Sequence, residues 1–485
     1  SGLSAEWDRM RHVGALARRL LPGIPVVAGG PHATACTEEI VASGAYTHVF
    51  AGESELTFTR FLDALDRGEP PPADLGGVSY LRDDGTLHTR PYNREVPSAE
   101  ALPVPAWDLV DFDAYARIPR MTLSAMGDRY APMMTSRGCP YRCTYCLNHK
   151  IVDRYKEELG RNVKNIGFFR FRPADKMIAE IRGVLARYAN IGTFILDDDL
   201  FTQNVPHALE FCDKYIASGI GVPFVVNSHV KQLDERVAEA LARAGCRILK
   251  LGIESGSLRV RKEVLKRHMT QKDILETVAG AERHRLHSSG FLMIGLPTET
   301  REERWETVDV LAESRIGRFR TSWFYPFPGT DSYRMTIEGG YLKAGAAEDL
   351  TTFTDGSALD FGAEENLFID KLGTVMPWFV NSRMDKFHDA PAAKRYQPLV
   401  ERVLALDVDG WNAFKPRVKE IDRELSAECA RADELHYAIR YNKFMGVRSD
   451  YYLAEEAGIE WYTAAAKPVR ELREAALAAA AAEVC

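Results

Sequence analysis

Between Ala131 and Thr330 the sequence alternates short apolar runs with amphipathic stretches, the pattern of strands followed by helices. Such alternation predicts parallel strands with helices packed against them and ligand loops at the carboxyl ends of the strands. Six strand–helix units are present, too few for a closed eight-stranded barrel. We predict strands at residues 133–136, 193–197, 223–227, 247–252, 289–295 and 320–325, and helices at 174–188, 205–218, 235–244, 271–286 and 302–313.

Near the start of this core lie Cys139, Cys143 and Cys146, with the spacing C-x3-C-x2-C. The spacing places the thiolates on one short loop, and Cys thiolates hold iron–sulfur clusters. A cluster bound by only these cysteines keeps one iron without a protein ligand, and that iron can bind another molecule. Zinc is the alternative, because zinc usually takes four ligands and His149 follows closely enough to be the fourth.

Polar motifs follow three of the predicted strands, where parallel folds assemble their sites. Adjacent carboxylates repel one another, so the acidic run is expected to meet a cation, although a solvated acidic turn is the simpler interpretation. Each motif is weak evidence alone, and their order beside the cysteines is what makes them informative. The motifs are Asp197-Asp198-Asp199 after the second strand, Gly252-Ile253-Glu254-Ser255-Gly256-Ser257 after the fourth, and Gly295-Leu296-Pro297-Thr298-Glu299 after the fifth.

These motifs and the cysteine triplet, with Tyr145 directly before its third cysteine, resemble the radical SAM superfamily. The resemblance implies an α/β fold with a partial (β/α)6 barrel. It also implies that Cys139, Cys143 and Cys146 hold a 4Fe–4S cluster whose open iron binds S-adenosyl-L-methionine (SAM). The residues that it assigns to SAM binding are Tyr145, Asp198, Asp199, Glu254, Ser255, Gly295, Thr298 and Glu299.

Two glycine-containing loops precede the core, Gly-Gly-Pro-His-Ala-Thr at residues 29–34 and Gly-Glu-Ser-Glu at residues 52–55. Glycine lets a backbone approach a bulky polar ligand, but a plain strand-to-helix turn has the same composition. Together with residues 1–4, these loops resemble the second half of the Rossmann-like cobalamin-binding domain found ahead of many radical SAM cores. His32 is expected to be a loop residue rather than a cobalt ligand. The residues that this resemblance assigns to cobalamin are Ser4, Gly29, Gly30, His32, Ala33, Thr34, Gly52 and Glu53.

Four regions are predicted along the chain. They are the C-terminal half of a cobalamin-binding domain at 1–72, a hairpin and proline-rich linker at 73–130, the radical SAM core at 131–330, and a mainly helical substrate or lid domain at 331–485. The chain begins without Met and inside a strand–helix unit, so we expect an upstream segment to be missing and the first domain to be truncated. Aromatic residues of the last region, such as Trp378, Trp411 and Trp461, are expected to pack between helices or to cover the barrel mouth.

The composition and net charge of the chain limit the classes of partner that it is expected to bind. The chain is 46% hydrophobic and 27% charged with a net charge of −7, which predicts a soluble protein with no electrostatic surface for nucleic acid or membrane. The five cysteines outside the triplet are scattered and suggest no disulfide framework, so we expect a cytoplasmic location. The expected partners are a small-molecule or peptide substrate and an external electron donor.

The family resemblance implies a reaction. SAM would be cleaved to a 5′-deoxyadenosyl radical that removes hydrogen from a substrate carbon, which then takes a methyl group from methylcobalamin. We therefore predict a radical SAM C-methyltransferase acting on a small molecule such as a natural product. Alternatives with the same cofactors are radical cyclisation or rearrangement, and polar methylation of an aromatic carbon such as an indole. The SAM motifs argue against a sensor protein, and the absence of a small β-rich RNA-binding domain in residues 331–485 argues against a methylthiotransferase.

Overall fold

The structure is a computed structural model that describes residues 4–92, 97–112, 129–160, 167–342, 356–440, 445–459 and 468–482. Parts of the predicted linker and the aromatic residue Trp461 therefore lie outside the described residues. The N-terminal region is a four-stranded sheet in the order β1-β2-β3-β4, with β1 and β2 parallel and the β3–β4 hairpin antiparallel. Its elements are α1 (Trp7–Leu20), β1 (Val27–Ala28), α2 (Pro31–Ala35), α3 (Thr37–Ala42), β2 (His48–Phe50), α4 (Glu55–Asp66), β3 (Val78–Leu81) and β4 (Leu87–Thr89).

The core confirms the predicted (β/α)6 partial barrel. Its parallel strands run in the order β5-β8-β9-β10-β11-β12, while β6 and β7 form a separate antiparallel pair. Its elements are β5 (Tyr130–Met133), β6 (Ser136–Arg137), α5 (Leu147–Leu159), β7 (Arg170–Phe171), α6 (Ala174–Arg187), β8 (Thr193–Leu196), α7 (Val205–Ser218), β9 (Phe224–Ser228), α8 (Glu235–Arg243), β10 (Cys246–Glu254), α9 (Gln271–Arg283), β11 (His287–Ile294), α10 (Arg301–Ser314) and β12 (Arg318–Trp323).

Two helices of the core begin at a capping box, which explains why the sequence predicted their starts well. Thr270 accepts a hydrogen bond from the Asp273 amide and Asp273 returns one to the Thr270 amide, at the start of α9. Thr300 and Glu303 form the same reciprocal pair at the start of α10. Each box satisfies amide donors that a helix start otherwise leaves unpaired.

The C-terminal part is mainly helical but also extends the barrel sheet. β14 (Met445–Arg448) pairs antiparallel with β12, and β13 (Tyr437–Ile439) pairs with β14, so the last parallel strand has no open edge along the paired residues. Trp378 and Trp411 are 0% and 1% exposed and pack within the main core rather than at the barrel mouth. The elements are α11 (Asp331–Glu338), α12 (Ala363–Arg383), α13 (Ala393–Ala405), α14 (Val408–Phe414), α15 (Val418–Arg431), β13 (Tyr437–Ile439), β14 (Met445–Arg448), α16 (Ser449–Glu456) and α17 (Val469–Ala482).

No helix in the described part of the chain is both long enough and apolar enough to span a bilayer.

The turn after β10 depends on a glycine that touches α10. A Cβ atom on Gly256 would lie 2.3 Å from the carbonyl oxygen of Glu306 and 2.3 Å from the Cα atom of Thr307. We expect Gly256→Ala to lower the free energy of unfolding, measured by urea titration, by about 1–3 kcal/mol, because backbone atoms must move apart.

Gly183 provides the matched control, since it is exposed on α6 and a Cβ there meets no atom within 4 Å. Gly183→Ala should raise the free energy of unfolding by about 0.5–1 kcal/mol. Equal effects of the two substitutions would show that the contact with α10 does not constrain the turn.

Candidate active site

The cysteine loop (residues 138–146) connects β6 to α5 at the carboxyl end of the barrel strands. Cys146 immediately precedes the first turn of α5. Thr144 fixes the loop to the segment after β10, because its hydroxyl donates to the carbonyl of Val264 at 2.7 Å and its amide donates to that of Leu265 at 3.1 Å. At Gly138 φ is 89°, and a Cβ would lie 2.5 Å from the Phe168 carbonyl oxygen. Only glycine fits where the loop begins.

The spread of the thiols distinguishes a cluster from a single metal ion. In the described chain only one set of three His, Cys, Asp or Glu donors lies within 4.8 Å of one another, and it is His32, Cys36 and Glu39. A tetrahedral zinc ion would draw cysteine sulfurs to about 3.8 Å of one another. His149 is also directed elsewhere, with its Nε2 atom 3.4 Å from Asp331. The loop therefore fits a multi-iron cluster better than the zinc alternative.

Burial sets the resting state of these thiols. It raises the pKa of Cys139 to about 12 and that of Cys146 to about 11, and the Asp199 carboxylate acts on both in the same direction. Cys139 and Cys146 are therefore protonated at neutral pH until a metal binds them. Iron binding must release those protons, as for other thiolate ligands.

A buried guanidinium joins the cysteine loop to the end of β10. Arg267 lies with Nη1 3.6 Å from Cys143 Sγ and donates to the Tyr145 hydroxyl at 3.3 Å. Its Nη2 atom donates to the Gly252 carbonyl at 2.6 Å. Tyr145 in turn donates to Glu254 Oε1 at 3.0 Å. A cation is thus placed beside a predicted cluster ligand and in contact with Tyr145, which connects it to Glu254, a second residue predicted to bind SAM.

Glu254 reaches this position through an irregular end of β10. The register of β10 with β11 shifts between Gly252 and Glu254, and Glu254 has a φ of 67°, which is rare for a residue with a side chain. Burial raises the pKa of Glu254. Bulges and strained backbone concentrate at functional sites, where they redirect a side chain. Gly252 leaves room for this arrangement, since a Cβ there would lie 2.5 Å from Glu254 Oε1 and 2.7 Å from an Arg267 nitrogen and would displace those side chains.

The two aspartates predicted to contact SAM have different surroundings. Asp198 is fully buried, and its Oδ1 atom accepts hydrogen bonds from the Thr135 hydroxyl at 3.0 Å and from the amide and hydroxyl of Ser136. Burial raises its pKa to about 6, and its Oδ2 atom has no hydrogen-bond partner within the described residues. Asp199 is exposed beside the cysteine loop, where it interacts with Asn148 and the Gly138 amide.

The loop after β11 is braced by Glu299. Its Oε2 atom accepts hydrogen bonds from the amides of Gly295 at 3.2 Å and Leu296 at 3.4 Å, and lies 3.3 Å from Arg304. Ser255 donates to its other oxygen at 3.5 Å. The Glu299 carboxylate and the Ser255 hydroxyl thus form hydrogen bonds within the protein. Thr298, in contrast, is exposed and has a φ of 64°. SAM contact by these residues stays a prediction.

The predicted cobalamin loops are joined to each other. The Thr34 hydroxyl donates to the Gly30 carbonyl at 2.9 Å and accepts from the Gly52 amide at 3.0 Å. Gly30 has a φ of 95°, which places the start of α2. Ala33 is fully buried in the N-terminal core. A Cβ atom added to Gly29 would lie 3.7 Å from the Phe50 carbonyl oxygen, which is an ordinary contact distance.

In these loops the Oε2 atom of Glu55 has no hydrogen-bond partner among the described residues, and His32 likewise has capacity left for a ligand. It is 2% exposed, its Nδ1 atom lies 3.0 Å from the Ser4 hydroxyl, and its ring packs 5.0 Å from that of Trp7. Its Nε2 atom has no hydrogen-bond partner within the described residues. Burial lowers its pKa, so the ring is neutral.

Glu53 connects the N-terminal region to the core. It pairs with Arg170 through both carboxylate oxygens and accepts from Arg137 at 3.0 Å, and Arg137 also pairs with Glu55 at 2.5 Å. The Glu53 amide donates to the Tyr155 hydroxyl at 3.2 Å. The sequence assigned Glu53 to cobalamin and missed both arginines. Their signal was weak, since an arginine within a strand of two residues, as in β6 and β7, has no distinctive spacing.

Residues 133–311 match the family model described as the radical SAM superfamily. An uncharacterised methyltransferase of Pyrococcus horikoshii is 28% identical over 331 residues, 68% of this chain and 67% of that protein. An anaerobic magnesium-protoporphyrin IX monomethyl ester cyclase of Rubrivivax gelatinosus is 23% identical over 325 residues, 66% of this chain and 54% of that protein.

The fold is also similar to a solved structure. The radical S-adenosylmethionine methyltransferase TsrM of Kitasatospora setae, determined with cobalamin and a [4Fe-4S] cluster, superposes with a TM-score of 0.56. The match covers 99% of this chain and 86% of that one at 15% sequence identity, so it establishes the likeness of fold.

The buried Glu299 carboxyl should make folding depend on pH. Burial raises its pKa from 4.5 to about 7, so the folded protein keeps this proton over a range in which the unfolded chain has lost it. Stability from this group is therefore full below pH 4.5 and is lost as the pH rises to about 7, a change of about 3 kcal/mol. Urea titrations should show Glu299→Gln gaining that amount relative to the parent protein across this range.

The exposed neighbour Glu302 serves as the control. The difference between Glu302→Gln and the parent should stay constant over the same pH range. A constant difference for Glu299→Gln as well would show that the Glu299 carboxyl is not destabilised by burial.

Proposed function

We propose that this chain is a cobalamin-dependent radical SAM methyltransferase that methylates a carbon atom of a small molecule such as a natural product. The match of residues 133–311 to the radical SAM family model supports this proposal. The observation that carries this proposal is the contact chain from Cys143 through Arg267 and Tyr145 to Glu254. This chain of contacts joins Cys143 of the cluster motif to the carboxylate of Glu254, whose backbone is strained, at the mouth of the barrel.

The residues fit the cluster and SAM. Cys139, Cys143 and Cys146 supply three thiolates with a wider spread than a single metal ion needs. Arg267 would offset part of the negative charge of those thiolates in a site where burial makes uncompensated charge costly. Glu254 offers a carboxylate for donor groups of SAM. When bound, the reduced cluster and SAM supply a carbon-centred radical, and methylcobalamin supplies the methyl group.

The N-terminal loops fit a large polar cofactor. The buried His32 Nε2 atom lacks a partner in the described structure, and Gly29 and Gly30 leave a partly exposed stretch of this loop without side chains. The fold shared with TsrM, which was determined with cobalamin, supports the same cofactor here. Glu53 would act indirectly, by holding its loop against Arg170 and the core.

The protein's part in the reaction is to bind, orient and shield. Tyr145 and Arg267 hold Glu254 in a strained backbone conformation before any ligand arrives. Such preorganisation lowers the cost of fixing reactants in place. No residue of the site needs to act as a general base. An external electron donor and a reducing, cytoplasmic setting belong to the proposal, in keeping with the unpaired state of the described cysteines.

Radical cyclisation is a second candidate function. The similarity to the cyclase of Rubrivivax gelatinosus favours it, although the chain spans 54% of that protein. Polar methylation of an aromatic carbon, without an adenosyl radical, uses the same cofactors. The three reactions differ in what becomes of SAM.

Product analysis separates these functions. The protein reconstituted with iron, sulfide and cobalamin, and supplied with SAM, a reductant and candidate metabolites or peptides, should release S-adenosylhomocysteine and 5′-deoxyadenosine together with a methylated product. Mass spectrometry measures all three. Cys139→Ala should abolish formation of 5′-deoxyadenosine, because the cluster loses a ligand.

Cys212→Ala is the matched control, since Cys212 is buried in the core away from the loop. It should retain product formation. Release of 5′-deoxyadenosine without S-adenosylhomocysteine would point to cyclisation, and the reverse would point to polar methylation. A protein that consumes no SAM under these conditions would contradict all three.

Cobalamin binding can be tested at Gly29. A Cβ there makes only ordinary contacts, 3.7 Å and 3.9 Å from atoms of Phe50, so Gly29→Val should fold. If the loop contacts cobalamin, the added methyl groups should raise the dissociation constant of hydroxocobalamin by about tenfold or more, since crowding costs about 1–3 kcal/mol. Visible absorbance titration measures this constant.

Gly183→Val, at an open position on α6, controls for the change of residue type. It should leave the dissociation constant unchanged. Unchanged binding in Gly29→Val would remove the loop from the cobalamin site.

A further inference from the structure

The inner face of the barrel sheet is polar and partly open, whereas its outer face is sealed. On β10, Lys250 and Gly252 are partly exposed, while Leu249, Leu251 and Ile253 between and beside them are 0% exposed in the core under the helices. Alternate residues of a strand point to opposite faces. Lys250 therefore belongs to the inner face.

Strand register places Arg320 on the same face. Arg320 on β12 pairs with Phe291 on β11, and Phe291 pairs with Gly252 on β10. Lys250 lies one pleat lower than Gly252 and pairs with Asn227. The register shift at the end of β10 pairs Glu254 with Leu292, one residue beyond Phe291, whereas Lys250 pairs with Ser289. From the rise of about 3.3 Å per residue along β11, Arg320 begins about 3 Å and Lys250 about 10 Å below the level of Glu254.

The positive charges of Lys250 and Arg320 have few acidic or hydrogen-bonding partners among the described residues. The backbone of Arg320 belongs to the sheet, but its guanidinium forms no hydrogen bond or ion pair with another residue that the structure describes, although Arg320 is only partly exposed. Lys250 lies 3.7 Å from Asp197, whose side chain is half exposed and turned partly to solvent. Burial lowers the pKa of both groups, and the charge of Arg320 adds to the lowering at Lys250. Holding two such cations near each other out of water is costly unless an anion joins them.

We propose that Lys250 and Arg320 bind an oxyanion group of the substrate, either a carboxylate or a phosphoryl group, inside the barrel below the SAM level. Phe291 and Met293, partly exposed on the same face of β11, provide apolar walls for the rest of the molecule. The substrate would then stand with its anionic end deep in the barrel and its reacting carbon near the mouth. This assignment rests on the proposed function and adds a substrate class to it.

Anion binding can be measured without turnover. The melting temperature of the protein is compared in sodium chloride, sodium phosphate and sodium acetate at equal ionic strength, since a ligand that binds the folded state raises it. We expect phosphate or acetate to raise the melting temperature above that in chloride, and the more effective of the two identifies the phosphoryl or carboxylate class. Arg320→Met and Lys250→Met should each weaken binding of that anion about tenfold or more, because a charge-assisted hydrogen bond is lost.

Three controls sharpen the result. Arg236→Met removes an arginine whose side chain is 67% exposed and should keep the full oxyanion effect. Arg320→Lys should keep part of it. The melting temperature of every variant in chloride shows whether the variant folds.

Two results would overturn the assignment. One is an oxyanion effect that is absent from the parent protein or equal in Arg320→Met. The other is displacement of the anion by S-adenosylhomocysteine, which would assign the cations to SAM. The anion-binding experiment needs neither reductant nor SAM cleavage. If the parent protein binds no oxyanion but still forms product, only the assignment of Lys250 and Arg320 is wrong. If the protein consumes no SAM, the proposed function is wrong.

Discussion

The candidate site depends on the contacts made by the buried guanidinium of Arg267. The guanidinium contacts the Cys143 thiol, the Tyr145 hydroxyl and the Gly252 carbonyl, and thereby fixes the cysteine loop to the end of β10. The same contacts hold Glu254 in a backbone conformation that few side chains adopt. A positive charge in this place also favours thiolates, which a buried loop would otherwise disfavour. Cluster site and carboxylate are therefore positioned by one group.

The sequence predicted the barrel well because its strands and helices carry strong periodicity and capping signals. β8 begins at residue 193 and α7 spans residues 205–218, as predicted from the apolar pattern. β13 and β14 were not predicted, since strands of three and four residues that include Ala438 and Gly446 give almost no periodic signal. They exist because they cover the edge of β12, which is a tertiary requirement.

The site was predicted in part, for a physical reason. The spacing of the cysteines is local, so the sequence shows it. Asp198 and Glu53 have partners that are distant along the chain, so the sequence could not show that these carboxylates brace a loop or join regions. Glu299 accepts from amides three and four residues before it, and its contact with Ser255 is the distant one. Motif position predicted which loops form the site, but it did not distinguish side chains available to a ligand from those that support the loop. Arg267, which lies outside every recognised motif, could be found only from the fold.

The central claim is that the cysteine loop holds a four-iron cluster with one iron open to SAM. Mössbauer spectroscopy of protein reconstituted with 57Fe tests it most directly. The expected spectrum before SAM is that of a [4Fe–4S] cluster, and SAM should shift the parameters of one of the four irons. A spectrum of a smaller iron centre, or a four-iron spectrum that SAM leaves unchanged, would contradict the account.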